Sequence, residues 1–388
     1  MFSQLEKQYM MPTYERFNLV LEKGEGCYVY DEEGHKYLDM GSGIAVNSLG
    51  YHHPVLTEAL KNQVDKLIHT SNYYYTKPQI EAAQLLVTYS SLDKVFFCNS
   101  GTEANEGAIK LARKYGKQKS PSKTQIISLK GGFHGRTLGA LSATPKEQYQ
   151  KDFKPLMPDF YYAQFNDIED IKACINENTC AVILEVIQGE GGIILADEVY
   201  LKEVEKLCAQ YDALFIIDEV QTGIGRTGSL FAYSQFGLQP DIVTTAKGLG
   251  AGLPIGAILC TEKANVFTPG NHGTTFGGNL LATTAASVVL KELCENGLME
   301  HVQSVSKYLK EKLLKMQAKS EKIVEVRGMG LMIGIEINEP VRPLLEKCMA
   351  KGLLAIAAGE KVIRLLPPLI MTAKQVDEGI AILEELLI

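Results

Sequence analysis

The sequence predicts an α/β fold with a mostly parallel central sheet. From about residue 94, short apolar segments alternate with amphipathic helical segments, the pattern of parallel strands joined by helices. Segments such as 213–217 (ALFII) are continuously apolar, as expected of strands that are covered on both faces. The predicted strands are 94–99 (KVFFCN), 124–129 (TQIISL), 180–186 (CAVILEV), 213–220 (ALFIIDEV), 241–246 (DIVTTA) and 256–260 (GAILC), and the clearest helices are 101–116 and 197–212.

The two ends of the chain predict a smaller α+β domain. Residues 26–40 contain two alternating runs around a DEEG turn, which predicts a β-hairpin, and 52–67 predicts a helix. Beyond residue 280, two long helical patterns precede 326–337 (VRGMGLMIGIEI), which predicts one strand. The predicted division is an N-terminal segment of the small domain at 1–45, a large α/β domain at 46–283, and a C-terminal small domain at 284–388.

Composition excludes several classes of protein. The 388 residues carry 39 basic and 46 acidic side chains, a net charge of −7, so a nucleic-acid partner is not expected. The first 17 residues lack the apolar core of a signal peptide, and no apolar run reaches the roughly 20 residues that span a bilayer. Eight scattered cysteines without zinc spacing indicate reduced thiols, a cytoplasmic protein and no metal site.

Unusual residues follow the predicted strands, and ligands of open parallel sheets bind at the carboxyl ends of strands. After the first strand, Ser100, Gly101 and Thr102 begin a helix, whose free N–H groups and dipole suit an anion. After the second, a glycine-rich turn presents Phe133, His134 and Arg136. An arginine fork in such a turn suits a carboxylate.

The next strand ends carry charges. Glu185 and Glu190 bracket a glycine-rich turn, where a solvated loop is the simplest interpretation of Glu185. Asp218 ends a continuously apolar strand, and a buried carboxylate requires a cation or strong donors, so we expect it to need a positively charged partner. Lys247 follows the next strand, inside TTAKGLG. One ligand fits all of these groups: pyridoxal 5′-phosphate (PLP), with its phosphate at the helix, its protonated ring nitrogen on Asp218 and its aldehyde on Lys247.

Eight motifs, in order over nearly the whole chain, resemble those of class III (ω-amino) aminotransferases of PLP fold type I. They are FFCNSGTEANEGAIKLAR (96–113), GFHGRT (132–137), ILEVIQGEGG (183–192), IIDEVQTGIGRTG (216–228), TTAKGLGAGLPIGA (244–257), HGTTFGGN (272–279), VRGMGLMIGIE (326–336) and IRLLPPL (363–369). The fold type implies a large domain around the parallel sheet and a smaller α+β domain from both termini.

The resemblance also implies roles for individual residues. Lys247 is the Schiff-base lysine and proton shuttle, and Asp218 is the partner of the pyridinium. Thr275 and Thr274 reach the cofactor and substrate of the neighbouring subunit, which implies a homodimer with shared sites. The implied cofactor contacts are Ser100, Gly101, Thr102, Phe133, Asp218, Glu219, Val220, Gln221, Lys247 and Thr275. The implied substrate contacts are Arg136, Glu190, Thr274 and Arg364. When the ω-amino donor is bound, Glu190 pairs with Arg364 and prevents this arginine from binding a carboxylate.

The implied reaction is transamination between an ω-amine and 2-oxoglutarate, with no nucleic acid or membrane as partner. Gly43 stands where related ornithine enzymes tend to have a tyrosine, which favours N2-acetylornithine as donor and a step in arginine biosynthesis. Ornithine, succinylornithine and succinyl-diaminopimelate remain alternative donors. A nicotinamide-dependent oxidoreductase is disfavoured, because residues 248–252 (GLGAG) lack the strand–turn–helix context of a dinucleotide loop. A non-catalytic protein of the same fold should lack Lys247 or Asp218, and both residues are present here, which disfavours that alternative.

Overall fold

The computed structural model describes residues 2–388. The N-terminal part contains a short helix, a three-stranded antiparallel meander and two helices that pack against the later helix at 280–294. A single turn, α2, lies between them, and its four residues all have positive φ. These elements are α1 (Phe2–Tyr9), β1 (Leu21–Glu25), β2 (Tyr28–Asp31), β3 (Lys36–Asp39), α2 (Ser42–Ala45), α3 (Pro54–Val64) and α4 (Lys77–Thr88). The predicted hairpin and the helix after it are therefore confirmed.

The middle of the chain alternates strands and helices, as the hydrophobic pattern predicts. Its elements are β4 (Lys94–Cys98), α5 (Gly101–Lys119), β5 (Gln125–Leu129), α6 (Leu138–Ser142), α7 (Glu147–Gln150), β6 (Phe160–Ala163), α8 (Ile168–Cys174), β7 (Thr179–Leu184), β8 (Ile187–Gln188), β9 (Ile194–Leu195), α9 (Glu198–Gln210), β10 (Leu214–Asp218), β11 (Ile242–Thr245) and β12 (Gly256–Cys260). Short 3₁₀ turns lie at 151–153, 232–236 and 247–250.

Seven of these strands form the central sheet, in the order β4-β12-β11-β10-β7-β5-β6. Only β12 runs antiparallel to its neighbours, so the mostly parallel sheet is confirmed. Successive residues of β10 point into different apolar clusters: Leu214 and Ile216 into one, Phe215 and Ile217 into the other. Both faces of the sheet are thus buried, which explains the continuous apolar runs.

The C-terminal part carries the remaining elements. They are α10 (Leu280–Cys294), α11 (Leu298–Gln317), β13 (Ile323–Met329), β14 (Met332–Ile337), α12 (Val341–Ala350), β15 (Leu353–Leu354), β16 (Ile356–Ala357), β17 (Val362–Leu365) and α13 (Ala373–Leu387). The prediction of one strand at 326–337 was wrong, because Gly330, with φ +59°, turns the chain and β13 pairs with β14 as a hairpin. A left-handed backbone of this kind favours glycine.

Both termini build the smaller part of the molecule. Strand β15 pairs in parallel with β3, so one four-stranded sheet combines the N-terminal meander with a C-terminal strand. A second sheet has the order β13-β14-β17-β16. We propose the division at 1–45, 46–283 and 284–388, although the last boundary falls inside α10, one continuous helix. No helix in the described part of the chain combines the length and the apolarity needed to cross a membrane.

Candidate active site

A cavity of about 480 Å³ lies at the carboxyl end of the central sheet. Four parallel strands and β4 end at its wall, which is where a parallel sheet offers a ligand free backbone groups and loop side chains. It is lined by residues 99–102 after β4, 133–136 after β5, Glu185 after β7, Asp218, Val220 and Gln221 at the end of β10, and 246–247 after β11. Most of the predicted site residues are therefore brought together.

The N-terminus of α5 opens into this cavity. Ser100 caps the helix, since its Oγ accepts a hydrogen bond from the N–H of Glu103 at 3.2 Å. Gly101 lies against Val220 so closely that a Cβ would stand 2.6 Å from its Cγ1. A glycine here lets the backbone approach a ligand, and the helix dipole favours an anion. Thr102 adds a hydroxyl, which lies 3.1 Å from that of Thr137.

Asp218 lies at the floor of the cavity, 3% exposed. Its Oδ1 accepts a hydrogen bond from the N–H of Val220 at 3.0 Å. Its Oδ2 accepts from Asn105 Nδ2 at 2.7 Å and lies 2.8 Å from His134 Nδ1. The chain itself supplies part of the compensation that a buried Asp218 requires, through the imidazole and two further donors, and a cationic partner from a ligand stays a prediction.

His134 and Glu185 form the buried surroundings of Asp218. Burial of His134 opposes its charge, but the hydrogen bond and negative charge of Asp218 outweigh burial and raise the pKa of the imidazole. The interpretation of Glu185 as a solvated loop residue was wrong: it is buried and accepts a hydrogen bond from the N–H of Phe133 at 2.9 Å. Burial raises the pKa of Glu185, so its protonated form is favoured beside Asp218.

Lys247 begins a 3₁₀ turn directly after β11, with a left-handed backbone at φ +44°. Non-glycine residues rarely adopt this conformation, and strain of this kind is concentrated at functional sites. Burial lowers the pKa of Lys247 to about 8, partly offset by the charge of Glu190. A substantial fraction of the amine is therefore neutral near pH 8 and available as a nucleophile or base.

The ion pair of Arg364 with Glu190 adjoins the cavity through Gln221, and neither of the two residues lines the cavity itself. Arg364, on β17, is buried and pairs through Nη1 with Glu190 Oε1. The same Nη1 lies 3.1 Å from Gln221 Oε1 and 3.2 Å from the carbonyl oxygen of Gly189. Burial opposes the charge of Glu190, but Arg364 outweighs it and lowers the pKa of Glu190.

Arg136 and Phe133 also line the cavity. Arg136 is exposed, and its guanidinium carbon stands 5.5 Å from the centre of the Phe133 ring. The guanidinium also stands 3.6 Å from the ring centre of Tyr149, a residue of α7 that the sequence interpretation did not consider. A ring and an arginine fork thus lie side by side at the entrance.

Several predicted residues do not join this cavity. The carboxylate of Glu219 accepts hydrogen bonds from the Thr222 hydroxyl at 2.5 Å and the Tyr233 N–H at 2.8 Å. Thr274 and Thr275 line a second cavity, of about 810 Å³, that does not include Lys247. Gly43, at φ +62°, lines a third cavity of about 300 Å³.

Of two polar residues at the floor, one was predicted without a role and one was missed. His134 was expected in the glycine-rich turn of the site, but no partner was assigned to it. Asn105 donates both to Asp218 and to the carbonyl oxygen of His134, and accepts from the Thr244 hydroxyl at 2.7 Å. Its signal was a polar residue on the apolar face of α5, between Ala104 and Ala108.

The groups present fit PLP. An anion suits the N-terminus of α5, a ring cation suits the anionic Oδ1 side of Asp218, and an aldehyde suits an amine whose pKa is depressed. No cluster of three or more His, Cys, Asp or Glu side chains within residues 2–388 is arranged to hold a metal ion.

Comparison with known proteins gives a consistent result. The family model "Aminotransferase class-III" matches residues 9–387. The chain is 51% identical, over 98% of both chains, to the acetylornithine aminotransferase of Caldanaerobacter subterraneus subsp. tengcongensis. It is 49% identical to that of Clostridium acetobutylicum, over 98% of this chain and 99% of the relative.

Solved structures agree with the sequence relatives. The N-acetylornithine aminotransferase of Stenotrophomonas maltophilia superposes with a TM-score of 0.85 at 37% identity, covering 98% of this chain and 97% of the other. The ornithine aminotransferase of Toxoplasma gondii superposes with a TM-score of 0.94 at 30% identity, covering 99% of this chain and 93% of the other. The fold is therefore PLP fold type I. The chain belongs to the class-III aminotransferases, enzymes that use pyridoxal phosphate.

Proposed function

We propose that the enzyme transfers the ω-amino group of N2-acetyl-L-ornithine to 2-oxoglutarate, giving N-acetyl-L-glutamate 5-semialdehyde and L-glutamate, a step of arginine biosynthesis. The names of its relatives support this donor. The observation that carries the proposal is the ion pair of Glu190 with Arg364 beside the Lys247 cavity. Glutamate places a carboxylate where an ω-amino donor places a methylene, and an arginine that a glutamate can neutralise suits both.

The residues that would hold the cofactor follow from the site. Gly101 and Thr102 would bind the phosphate, Phe133 would face the ring, and Asp218 would bind the ring nitrogen. Bound PLP supplies an aldehyde that condenses with amines and a ring that withdraws electrons from the carbon next to the amine. Asp218 stabilises a cation on the ring nitrogen, and the donors behind it keep its carboxylate oriented.

Lys247 is the base of the reaction. Its Nζ removes a proton from the substrate carbon that bears the amine and can return it, which requires an amine that is neutral part of the time. The pKa of about 8 meets this requirement near neutral pH. Burial of the cavity floor limits access of water to that proton.

Glu190 and Arg364 allow one cavity to accept two kinds of donor. With glutamate, Arg364 binds the α-carboxylate in place of Glu190. With an ω-amine, a methylene lies at this point, and Glu190 neutralises the buried arginine, whose uncompensated charge would be costly. Arg136 binds the remaining carboxylate at the cavity mouth.

We also propose a homodimer with shared sites. Tyr73 and Tyr75 are 93% and 99% exposed, and a row of exposed aromatic side chains is typical of a covered interface. The cavity of Thr274 and Thr275 adjoins Tyr73 and lacks a lysine, as expected if these threonines serve the site of a partner. None of the eight cysteines forms a disulfide within residues 2–388, which supports a cytoplasmic location.

The donor is tested by steady-state kcat/KM values for acetylornithine, succinylornithine, ornithine and succinyl-diaminopimelate with 2-oxoglutarate as acceptor. We expect acetylornithine to give the highest value, and a higher value for ornithine would contradict the proposal.

The shared sites are tested by mixing two inactive variants, Lys247→Ala and Thr275→Trp, after mild dissociation. A mixed dimer has one site with both native residues, so activity should return. Activity that stays at the sum of the separate variants would contradict sharing.

A further inference from the structure

Arg136 lines the cavity without an acidic partner among the described residues. The ion pairs of the cavity join His134 to Asp218 and Arg364 to Glu190, and neither involves Arg136. No Asp or Glu in residues 2–388 lies within ion-pairing distance of its guanidinium. The contact that holds this side chain is instead the face of Tyr149, 3.6 Å from the ring centre to the guanidinium carbon.

The nature of this contact matters for what Arg136 can bind. An aromatic face attracts a cation through its quadrupole, and the attraction acts on the face of the guanidinium. A carboxylate partner would use the N–H groups at the edge of the fork. Stacking on Tyr149 therefore restrains Arg136 and leaves its N–H donors free for a substrate carboxylate.

The ring of Tyr149 is held in place by its own segment. The neighbouring Gln150 is buried, and its Nε2 donates to the carbonyl oxygens of Leu141 and Thr144 at 3.0 and 2.8 Å. The Tyr149 ring meets that of Phe133 edge-on, with centres 6.3 Å apart and planes at 86°. The platform is thus fixed relative to the cavity before any substrate arrives.

The same segment reaches the second carboxylate site. Lys146 Nζ donates a hydrogen bond to the carbonyl oxygen of Glu190 at 3.0 Å. One short stretch, residues 146–150, therefore contacts both Arg136 and the loop of the Glu190–Arg364 pair.

We propose that Tyr149 is a positioning residue for substrate recognition: its ring face holds Arg136 at the cavity mouth as an unneutralised carboxylate receptor. This inference rests on the proposed role of Arg136 in binding substrate. The ring is required and the hydroxyl is not, so a phenylalanine at this position preserves the function.

The test uses the PLP-loaded enzyme and glutarate, a dicarboxylate that cannot react, with binding measured by calorimetry. We expect Tyr149→Leu to raise the Kd for glutarate about tenfold, and Tyr149→Phe to leave it within about twofold. Tyr161→Leu is the matched control, since Tyr161 is 44% exposed on β6 and lines no part of the cavity. Melting temperatures of all variants identify any loss of fold.

A second series keeps the shape of the ring and changes only its charge distribution. Replacing Tyr149 by phenylalanine should leave the Kd within about twofold, whereas pentafluorophenylalanine should raise it, because fluorine removes the negative potential of the ring face. This series remains informative if Tyr149→Leu does not fold. Equal Kd values across the series would overturn the inference.

A double-mutant cycle separates this inference from the role of Arg136 itself. If Arg136→Ala weakens glutarate binding, Tyr149→Leu in that background should cause no further loss. If Arg136→Ala weakens binding but Tyr149→Leu does not, the positioning role is wrong and the proposed function stands. If Arg136→Ala has no effect, both the role of Arg136 and this inference are wrong. In kinetics, Tyr149→Leu should raise the KM for 2-oxoglutarate and leave kcat within about twofold.

Discussion

His134 Nδ1 lies 2.8 Å from Asp218 Oδ2, so a buried imidazole stands behind the carboxylate that would bind the ring nitrogen of the cofactor. The two residues follow β5 and β10, which flank β7 in the sheet, and Glu185 follows β7. Three adjacent strand ends thus bring one imidazole between two carboxyl groups. The arrangement favours a charged His134 before any cofactor binds.

Replacing His134 should weaken cofactor binding. A hydrogen bond from a charged donor contributes about 1.5–3 kcal/mol, so His134→Asn should raise the Kd for PLP roughly 10- to 100-fold. Because the pKa of His134 is raised, the imidazole loses its charge at a higher pH than an ordinary histidine. The affinity of the wild-type enzyme for PLP should therefore fall as pH rises through the raised pKa. Absorbance titration of apoenzyme with PLP between pH 6 and 9 measures both effects. His301→Asn is the control, since His301 bonds the Met371 carbonyl away from the cavity.

Lys247→Ala should abolish transamination while the protein stays folded. Borohydride reduction should fix PLP to the wild-type chain at Lys247, detectable by mass spectrometry, and should leave the variant unlabelled. Because the amine is charged below its pKa of about 8, the rate at which PLP attaches should rise with pH between 7 and 9. The exposed Lys206→Ala is the control. Substantial residual turnover in Lys247→Ala would refute the assignment.

Glu190→Gln should change the choice of donor without abolishing the reaction. The amide cannot neutralise Arg364, so glutamate should react at nearly the wild-type rate while acetylornithine loses at least about tenfold in kcat/KM. Single-turnover rates with glutamate and with acetylornithine give the selectivity between the two donors. An equal fall for both donors would show that Glu190 does not act as a switch.

Glu219 should make stability depend on pH. Burial raises its pKa to about 7, and the Thr222 and Tyr233 hydrogen bonds only partly oppose this. A carboxyl whose folded pKa is raised stabilises the fold at low pH, and that contribution is lost as pH rises through about 7. By proton linkage, the free energy of unfolding should fall by up to about 3 kcal/mol over this range. In urea unfolding between pH 5 and 8, the free energy of unfolding should decline less with pH for Glu219→Gln than for wild type. Glu346→Gln, at an exposed position, is the control. The same slope in all three would contradict this account.

Sequence patterns predicted the sheet and most of its strands because both faces are buried and the apolar runs are continuous. Strand β6 was missed, since FYYA is only partly buried at the sheet edge and carries no clear pattern. The charged strand ends were predicted as a site because a parallel sheet gathers its carboxyl ends on one side.

The partners of Asp218 could not be predicted, because they depend on strand order. The chain order of strands does not reveal that β7 lies between β5 and β10, so the contact of His134 with Asp218 and the burial of Glu185 were invisible. Tyr149 was missed for a similar reason. Its segment returns to the cavity only through the fold of 138–153, which has no strong periodicity.

The position of β4 in the sheet has a consequence for how the enzyme matures. This strand leads into the turn at Ser100–Thr102 that would bind the phosphate, and it pairs only with β12, which comes much later in the chain. During synthesis the turn therefore stays unanchored until β12 has been made and has closed this long loop, a slow non-local event. Acquisition of the cofactor should report late folding, and a nascent chain that ends before Gly256 should not retain PLP.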